Sequence, residues 1–95
     1  MEFQIESRSG TIRVSGDMTV YCAADLKTAL LAEVAAGNSS LDLSQVQEFD
    51  TAGLQLILLL NRELLGGLRV AACSPAVRAT LELTHLNKLI VAEAA

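Results

Sequence analysis

The sequence predicts an α/β fold with a mixed β-sheet: an opening antiparallel hairpin, then parallel strands, with helices packed on the sheet. Three observations carry this. Two short alternating apolar runs flank a Ser-Gly turn at positions 9 and 10. From Leu41 onward, strand-length runs alternate with helix-length apolar periodicities, and such crossover connections make neighbouring strands parallel and right-handed. Seventeen Leu and fourteen Ala supply nearly a third of the 95 residues, which suits aliphatic faces packed between a thin sheet and its helices.

In Phe3–Arg8, Phe3 and Ile5 alternate with Gln4 and Glu6; in Thr11–Val14, Ile12 and Val14 alternate with Thr11 and Arg13. Gly16-Asp17 is read as the end of that pair, with Met18–Val20 as an extended continuation. Ala23–Ala36 reads as a helix, because Leu26, Leu30, Leu31 and Val34 recur at three- and four-residue steps. Asp25, Lys27, Thr28 and Glu33 fill its other side, and Gly37-Asn38 stops it. Leu41-Asp42-Leu43 is a short strand, with Ser44-Gln45 read as a turn. A second helix spans Ala52–Leu65 and ends at Gly66-Gly67. Leu68–Ala72 is a strand. A third helix, Pro75–Leu83, has Ser74 as N-cap and Pro75 at its first position. Leu89–Ala92 is a last strand or a tail. The whole of residues 1–95 is expected to form one domain.

Composition removes several functions. Aromatics are 3% of the chain, with no Trp, which argues against stacking platforms for single-stranded nucleic acid and against an aromatic ligand pocket. The net charge of −4 repels a phosphate backbone, so no nucleic-acid partner is expected. The longest apolar run, Leu56–Leu60, is far short of the roughly 18–20 residues a membrane span needs. No basic segment leads into an apolar stretch after Met1, so no signal peptide is read and a cytoplasmic location is expected. Cys22 and Cys73 are isolated and expected to be reduced, small and semi-buried. With one His and no CxxC, no metal-site pattern exists. His85 reads as a surface or helix-terminal residue, since no nucleophile-based triad can be assembled around it. Asp42 and Asp50 flank a strand and its loop without a second acid–base set, so no catalytic residue is assigned. Gly66-Gly67 lacks the Lys and spacing of a phosphate loop, and no cofactor is expected.

The most specific stretch runs from Asp42 to Leu54. A strand ends, a polar loop follows, and Asp50-Thr51-Ala52-Gly53 opens the second helix. Asp50 or Thr51 can serve as N-cap, accepting a hydrogen bond from a free amide of the first turn. Gly53 costs about 1 kcal/mol against Ala inside a helix. Its presence there points to a close contact or an unusual dihedral. Taken alone, the motif reads as a capped helix start and nothing more.

The run Phe49-Asp50-Thr51-Ala52-Gly53-Leu54 resembles the signature of the STAS domain family (sulfate transporter and anti-sigma factor antagonist). Tyr21-Cys22-Ala23-Ala24-Asp25-Leu26 resembles the family's segment leading into the first helix. Ser74-Pro75-Ala76-Val77-Arg78 and Leu81-Glu82-Leu83 with Leu86 resemble its third-helix region. The resemblance covers essentially the whole chain. It implies a non-enzymatic, protein-binding regulator similar to an anti-sigma factor antagonist. Thr51 falls at the position phosphorylated by a partner serine/threonine kinase, often itself an anti-sigma factor. Asp50 takes the acidic position before it, and Ala52 and Gly53 the small positions after it. Thr19 departs from the pattern: many relatives carry there an Asp near the phosphorylated residue. That departure suits relatives in chemotaxis signalling or lipid-transport ABC ATPase complexes, in which Thr51 would be a contact residue of a constitutive subunit. No direct membrane insertion is expected, and alone the chain is expected to be a monomer.

The second helix carries eight apolar residues in twelve from Leu54 to Leu65. Leu54, Ile57, Leu58 and Leu65 are expected to face the sheet, with Leu56, Leu59 and Leu60 at the margins or outside. Such a helix is either a two-sided core element or one wall of a partner groove. In the second case the partner-binding residues are Asp50, Thr51, Ala52, Gly53, Leu54, Gln55, Leu56 and Leu59.

Overall fold

The computed structural model describes residues 2–64 and 66–84. The elements are β1 (Phe3–Arg8), β2 (Thr11–Met18), α1 (Ala23–Ala35), β3 (Ser40–Phe49), α2 (Thr51–Glu63), β4 (Arg69–Cys73) and α3 (Pro75–Leu83). Leu65, His85, Leu86 and the expected Leu89–Ala92 strand or tail lie outside the described residues. The sheet has the order β1-β2-β3-β4, with β1 antiparallel to β2 and the later pairs parallel. This is the mixed sheet that the alternation of elements predicts.

The hairpin closes on Ser9 and Gly10, both at positive φ (53° and 83°), the turn whose twist matches its strands. Ile12 and Val14 of β2 are fully buried while Arg13 between them is exposed. The helices therefore cover one face of the sheet, and the other is open and polar. One apolar cluster joins Ile12, Val14, Leu41, Leu43 and Val70 of the sheet to Leu26, Ile57, Leu60, Val77 and Leu81 of the three helices.

Two strand readings need correction. Gly16-Asp17 does not end β2, which continues to Met18. Ser44-Gln45 is not a turn either, because β3 runs on for ten residues to Phe49. The cause is a pair of bulges. Between Arg13 and Ser15 on β2, β3 advances from Asp42 to Gln45, and between Gly16 and Asp17 it advances from Val46 to Glu48. Each extra residue shifts the phase of the inward-facing set. Leu41 and Leu43 are two apart, but the next buried residue is Val46. The Asp42 carboxylate accepts from the Ser44 amide at 2.9 Å and the Ser44 hydroxyl at 2.6 Å at the first bulge, a local pattern that reads as a turn in sequence.

The helix ends follow the sequence more closely. Ser74 Oγ accepts from the Val77 amide at 3.4 Å with Pro75 at the first helical position. Asn38 closes α1 by donating to the Glu33 carbonyl at 3.1 Å. The inward face of α2 is rotated from the expected one. Leu54, Leu56, Ile57 and Leu60 are buried, and Leu58 is 38% exposed. A helix lying between a sheet and a neighbouring helix buries a wide stripe, and α2 packs on both β3 and α1. Leu56 and Leu60 are therefore interior, while Leu58 points away. Cys22 is buried, its thiol donating to the Asp17 carbonyl at 3.2 Å, and Cys73 is half-buried at the end of β4.

Candidate functional site

The parallel strands β2 and β3 end side by side, and the loop after each leads into a helix. The loop after β2 and the first turn of α2 meet at this corner. Asp50 is the N-cap of α2: its Oδ1 accepts from the Ala52 amide at 2.9 Å and the Gly53 amide at 3.4 Å. Its second oxygen reaches thirty positions back and accepts from the Val20 amide at 3.1 Å. The Asp50 amide in turn donates to the Met18 carbonyl at 3.3 Å. One carboxylate thus fixes both loops.

Of the two causes offered for Gly53, the structure selects close contact. A Cβ there would lie 2.6 Å from the Met18 carbonyl oxygen and 2.8 Å from the Phe49 ring. Only a residue without a side chain lets α2 start this near the end of β2.

The expected partner-binding residues divide by exposure. Thr51, the first residue of α2, is exposed, and no hydrogen bond engages its hydroxyl among the described residues. Gln55 is exposed, and Asp50, Ala52 and Leu59 are half-buried. Gly53 and Leu54 are buried, as their packing against β2 and the core requires, so they shape the corner and do not line it. Leu56 is only 6% exposed, but it forms the floor of a groove between α1 and α2 whose walls are Ala23, Ala24, Lys27, Ala52, Gln55 and Leu59. A second depression lies on the loop side of Asp50, lined by Asp17, Thr19, Tyr21, Glu48 and Phe49. Thr19 sits there near the Cys22 thiol, its Oγ1 3.9 Å from the sulfur.

Residue-type reasoning missed Val20 and the exposure of Tyr21. They are 64% and 80% exposed, two large apolar side chains at the tip of the loop that Asp50 holds. Two consecutive bulky apolar residues between a strand and a helix were the available signal. The tether itself joins residues too distant in sequence to be paired by inspection.

Among the described residues, no cluster of His, Cys, Asp and Glu could hold a metal ion. Asp42 and Asp50 are not a carboxylate pair. Asp42 lies on the open sheet face, 3.4 Å from Arg13. Burial pushes its carboxyl up, but hydrogen bonds from the Ser44 hydroxyl and amide, with Arg13 beside it, outweigh that and hold it below the usual carboxylate range.

A family model described as Mlab, STAS domain, matches residues 1–92. The chain belongs to the STAS domain family. Among the solved structures with the same fold are two anti-sigma factor antagonists. One is an anti-sigma factor antagonist from Mycobacterium paratuberculosis, 30% identical, covering 94% of this chain and 81% of its own, with a TM-score of 0.76. The other is the anti-sigma factor antagonist SpoIIAA in its unphosphorylated form, 20% identical, covering 95% of this chain and 86% of its own, with a TM-score of 0.72. No curated protein matches the chain at a significant level. A regulatory, protein-binding role follows from that membership, and not an enzymatic one. No helix among the described residues is long and apolar enough to cross a membrane.

Proposed function

We propose that this chain is a cytoplasmic regulator of the anti-sigma factor antagonist type, switched by phosphorylation of Thr51 by a partner serine/threonine kinase. The unphosphorylated corner binds the partner; the phosphorylated one does not. The supporting observation is the contrast between two neighbours. The Asp50 carboxylate is committed to the amides of Ala52, Gly53 and Val20, whereas the Thr51 hydroxyl beside it is exposed and unengaged.

That contrast also shapes what a phosphate would do. It adds about −1.5 to −2 charges. A helix start ordinarily offers free amides to such an anion, but here Asp50 already holds those of Ala52 and Gly53, and the Leu54 amide donates to the Asp50 carbonyl. The phosphate would stay outside, in the field of the helix dipole and against the charges of Asp50 and Glu48. The fold would survive while an already acidic surface became more negative. A partner packed on Thr51, Ala52, Gln55 and Leu59 on one side and Val20 and Tyr21 on the other would bury an unpaired dianion, a loss on the order of 2–5 kcal/mol in binding.

The test is the intact mass of the protein, and the phosphorylation of its peptides, in the cells that make it. One phosphoryl group on Thr51 in a fraction of the chains, absent in the Thr51→Ala variant, is expected. Thr51 unmodified both in partner-bound and in partner-free protein overturns the switch.

A second reading keeps the same surface but makes the chain a constitutive subunit of a chemotaxis or lipid-transport ABC ATPase complex, with Thr51 as a contact. Thr19 favours it, since it lines the depression beside Asp50 with a hydroxyl where a carboxylate is common in the family. The same mass measurement decides: stoichiometric complex with Thr51 never modified is the constitutive outcome.

A further inference from the structure

We propose that the free edge of β1 is a self-association surface, through which two copies pair antiparallel about Ile5. The inference is independent of the corner at Thr51. β1 ends the sheet and pairs with β2 alone among the described strands. Its hydrogen-bonding phase can be read. The Asp17 amide donates to the Glu2 carbonyl, and the register then places Gln4, Glu6 and Arg8 in the same phase, with their amides and carbonyls directed at β2. The backbone groups of Phe3, Ile5 and Ser7 therefore point outward, to the open edge.

A strand can dock there only if its own free groups fall opposite these three. For a second copy running antiparallel, that leaves three central registers, and side-chain charge separates them. With Phe3 opposite Ile5, Glu2 meets Glu6. With Ile5 opposite Ser7, Glu6 meets Glu6. With Ile5 opposite Ile5, Phe3 meets Ser7 and Glu2 meets Arg8 at both ends. Like charges directly opposite destabilise a pair of strands, and opposite charges stabilise it. Only the third register has no like-charged pair and has two ion pairs. These fall at positions without a cross-strand hydrogen bond, where side chains approach most closely.

The faces also match. Phe3 and Ile5 are half-buried on the helix side, and the Ser7 hydroxyl donates to Glu33 of α1 at 2.5 Å on that same side. Glu2, Gln4, Glu6 and Arg8 lie on the open polar face. The two-fold pairing sets Ile5 against Ile5 and continues the apolar layer from one copy into the next, while Glu2, Glu6 and Arg8 of both copies remain at the polar surface. Charged residues on an edge strand usually prevent pairing. Here their spacing disfavours the two central registers on either side of the Ile5 pairing.

The test is sedimentation of the full chain over a wide concentration range, with charge reversals. The wild type is expected to shift reversibly from monomer to dimer as concentration rises, and the exchange of the Phe3, Ile5 and Ser7 amides to slow with it, those of Gln4 and Glu6 being unaffected. Arg8→Glu or Glu2→Arg alone turns two attractions into two repulsions, which weakens association by at least about fivefold. The double variant Glu2→Arg with Arg8→Glu restores it, which separates a lost interface from a damaged fold. A wild type that stays monomeric throughout overturns the proposal, and so does a dimer indifferent to either single reversal.

Discussion

Replacing Gly53 by Ala sets two effects of opposite sign against each other. In an open helix the change would stabilise by about 1 kcal/mol, because Ala loses less backbone entropy. Here the new Cβ would stand 2.6 Å from the Met18 carbonyl oxygen, roughly 0.8 Å inside the 3.4 Å at which contact becomes ordinary, and 2.8 and 2.9 Å from two atoms of the Phe49 ring. The ring can turn aside. The carbonyl cannot, since it belongs to the fully buried last residue of β2 and accepts the Asp50 amide. Overpacking of this kind costs about 1–3 kcal/mol, and the disturbed hydrogen bond about 1 kcal/mol more. The clash wins. A net loss of about 1–3 kcal/mol lowers Tm by roughly 5–20 °C in a domain of this size. Thermal and urea denaturation followed by circular dichroism read it directly. Gly66→Ala is the control: no atom lies within 4 Å of a Cβ there, so it should be neutral or slightly stabilising. Gly53→Ala as stable as the wild type would refute the close approach of α2 to β2.

The rotated face of α2 predicts a contrast between neighbours: Leu60→Ala should cost about 2–5 kcal/mol, while Leu58→Gln, at a 38% exposed position, should stay within about 0.5 kcal/mol in the same urea assay. Equal losses would return Leu58 to the core. Asp42 predicts a pH dependence. Its folded carboxyl titrates below the unfolded value of 3.8, so its contribution is complete above that pH and is lost as pH falls through the lower folded value. Asp42→Ala should therefore trail the wild type near pH 7 by under about 1 kcal/mol, as suits a bridge to a half-exposed Arg13, and converge with it towards pH 2; a gap constant with pH would refute the link.

How much could be read from the sequence depended on whether the deciding contact was local. The Ser9-Gly10 turn, the third helix with its Ser74-Pro75 start, and a capped start of α2 at Asp50 or Thr51 rest on interactions within four residues, and each is legible; the structure assigns the cap to Asp50. β3 was cut short because its bulges break the two-residue alternation, and only pairing with β2 shows that the strand continues. The inward face of α2 was misjudged at Leu58 because a helix apolar nearly all round does not reveal which neighbours it has. Thr51 was singled out through its motif, whereas Val20 and Tyr21 joined the same corner only through the Asp50 tether from thirty positions away.

The seam between β2 and α2 is made mostly of main chain: a glycine against the Met18 carbonyl, the Asp50 amide on that same carbonyl, and the Asp50 carboxylate holding three amides. Every residue type except proline supplies those amides and carbonyls. Val20, Tyr21, Thr51, Ala52 and Gln55 can thus be exchanged during divergence without displacing the platform that presents them. If that corner binds a partner as proposed, a lineage could trade one partner for another by rewriting a handful of outward side chains, while Asp50 and Gly53 keep the platform in place.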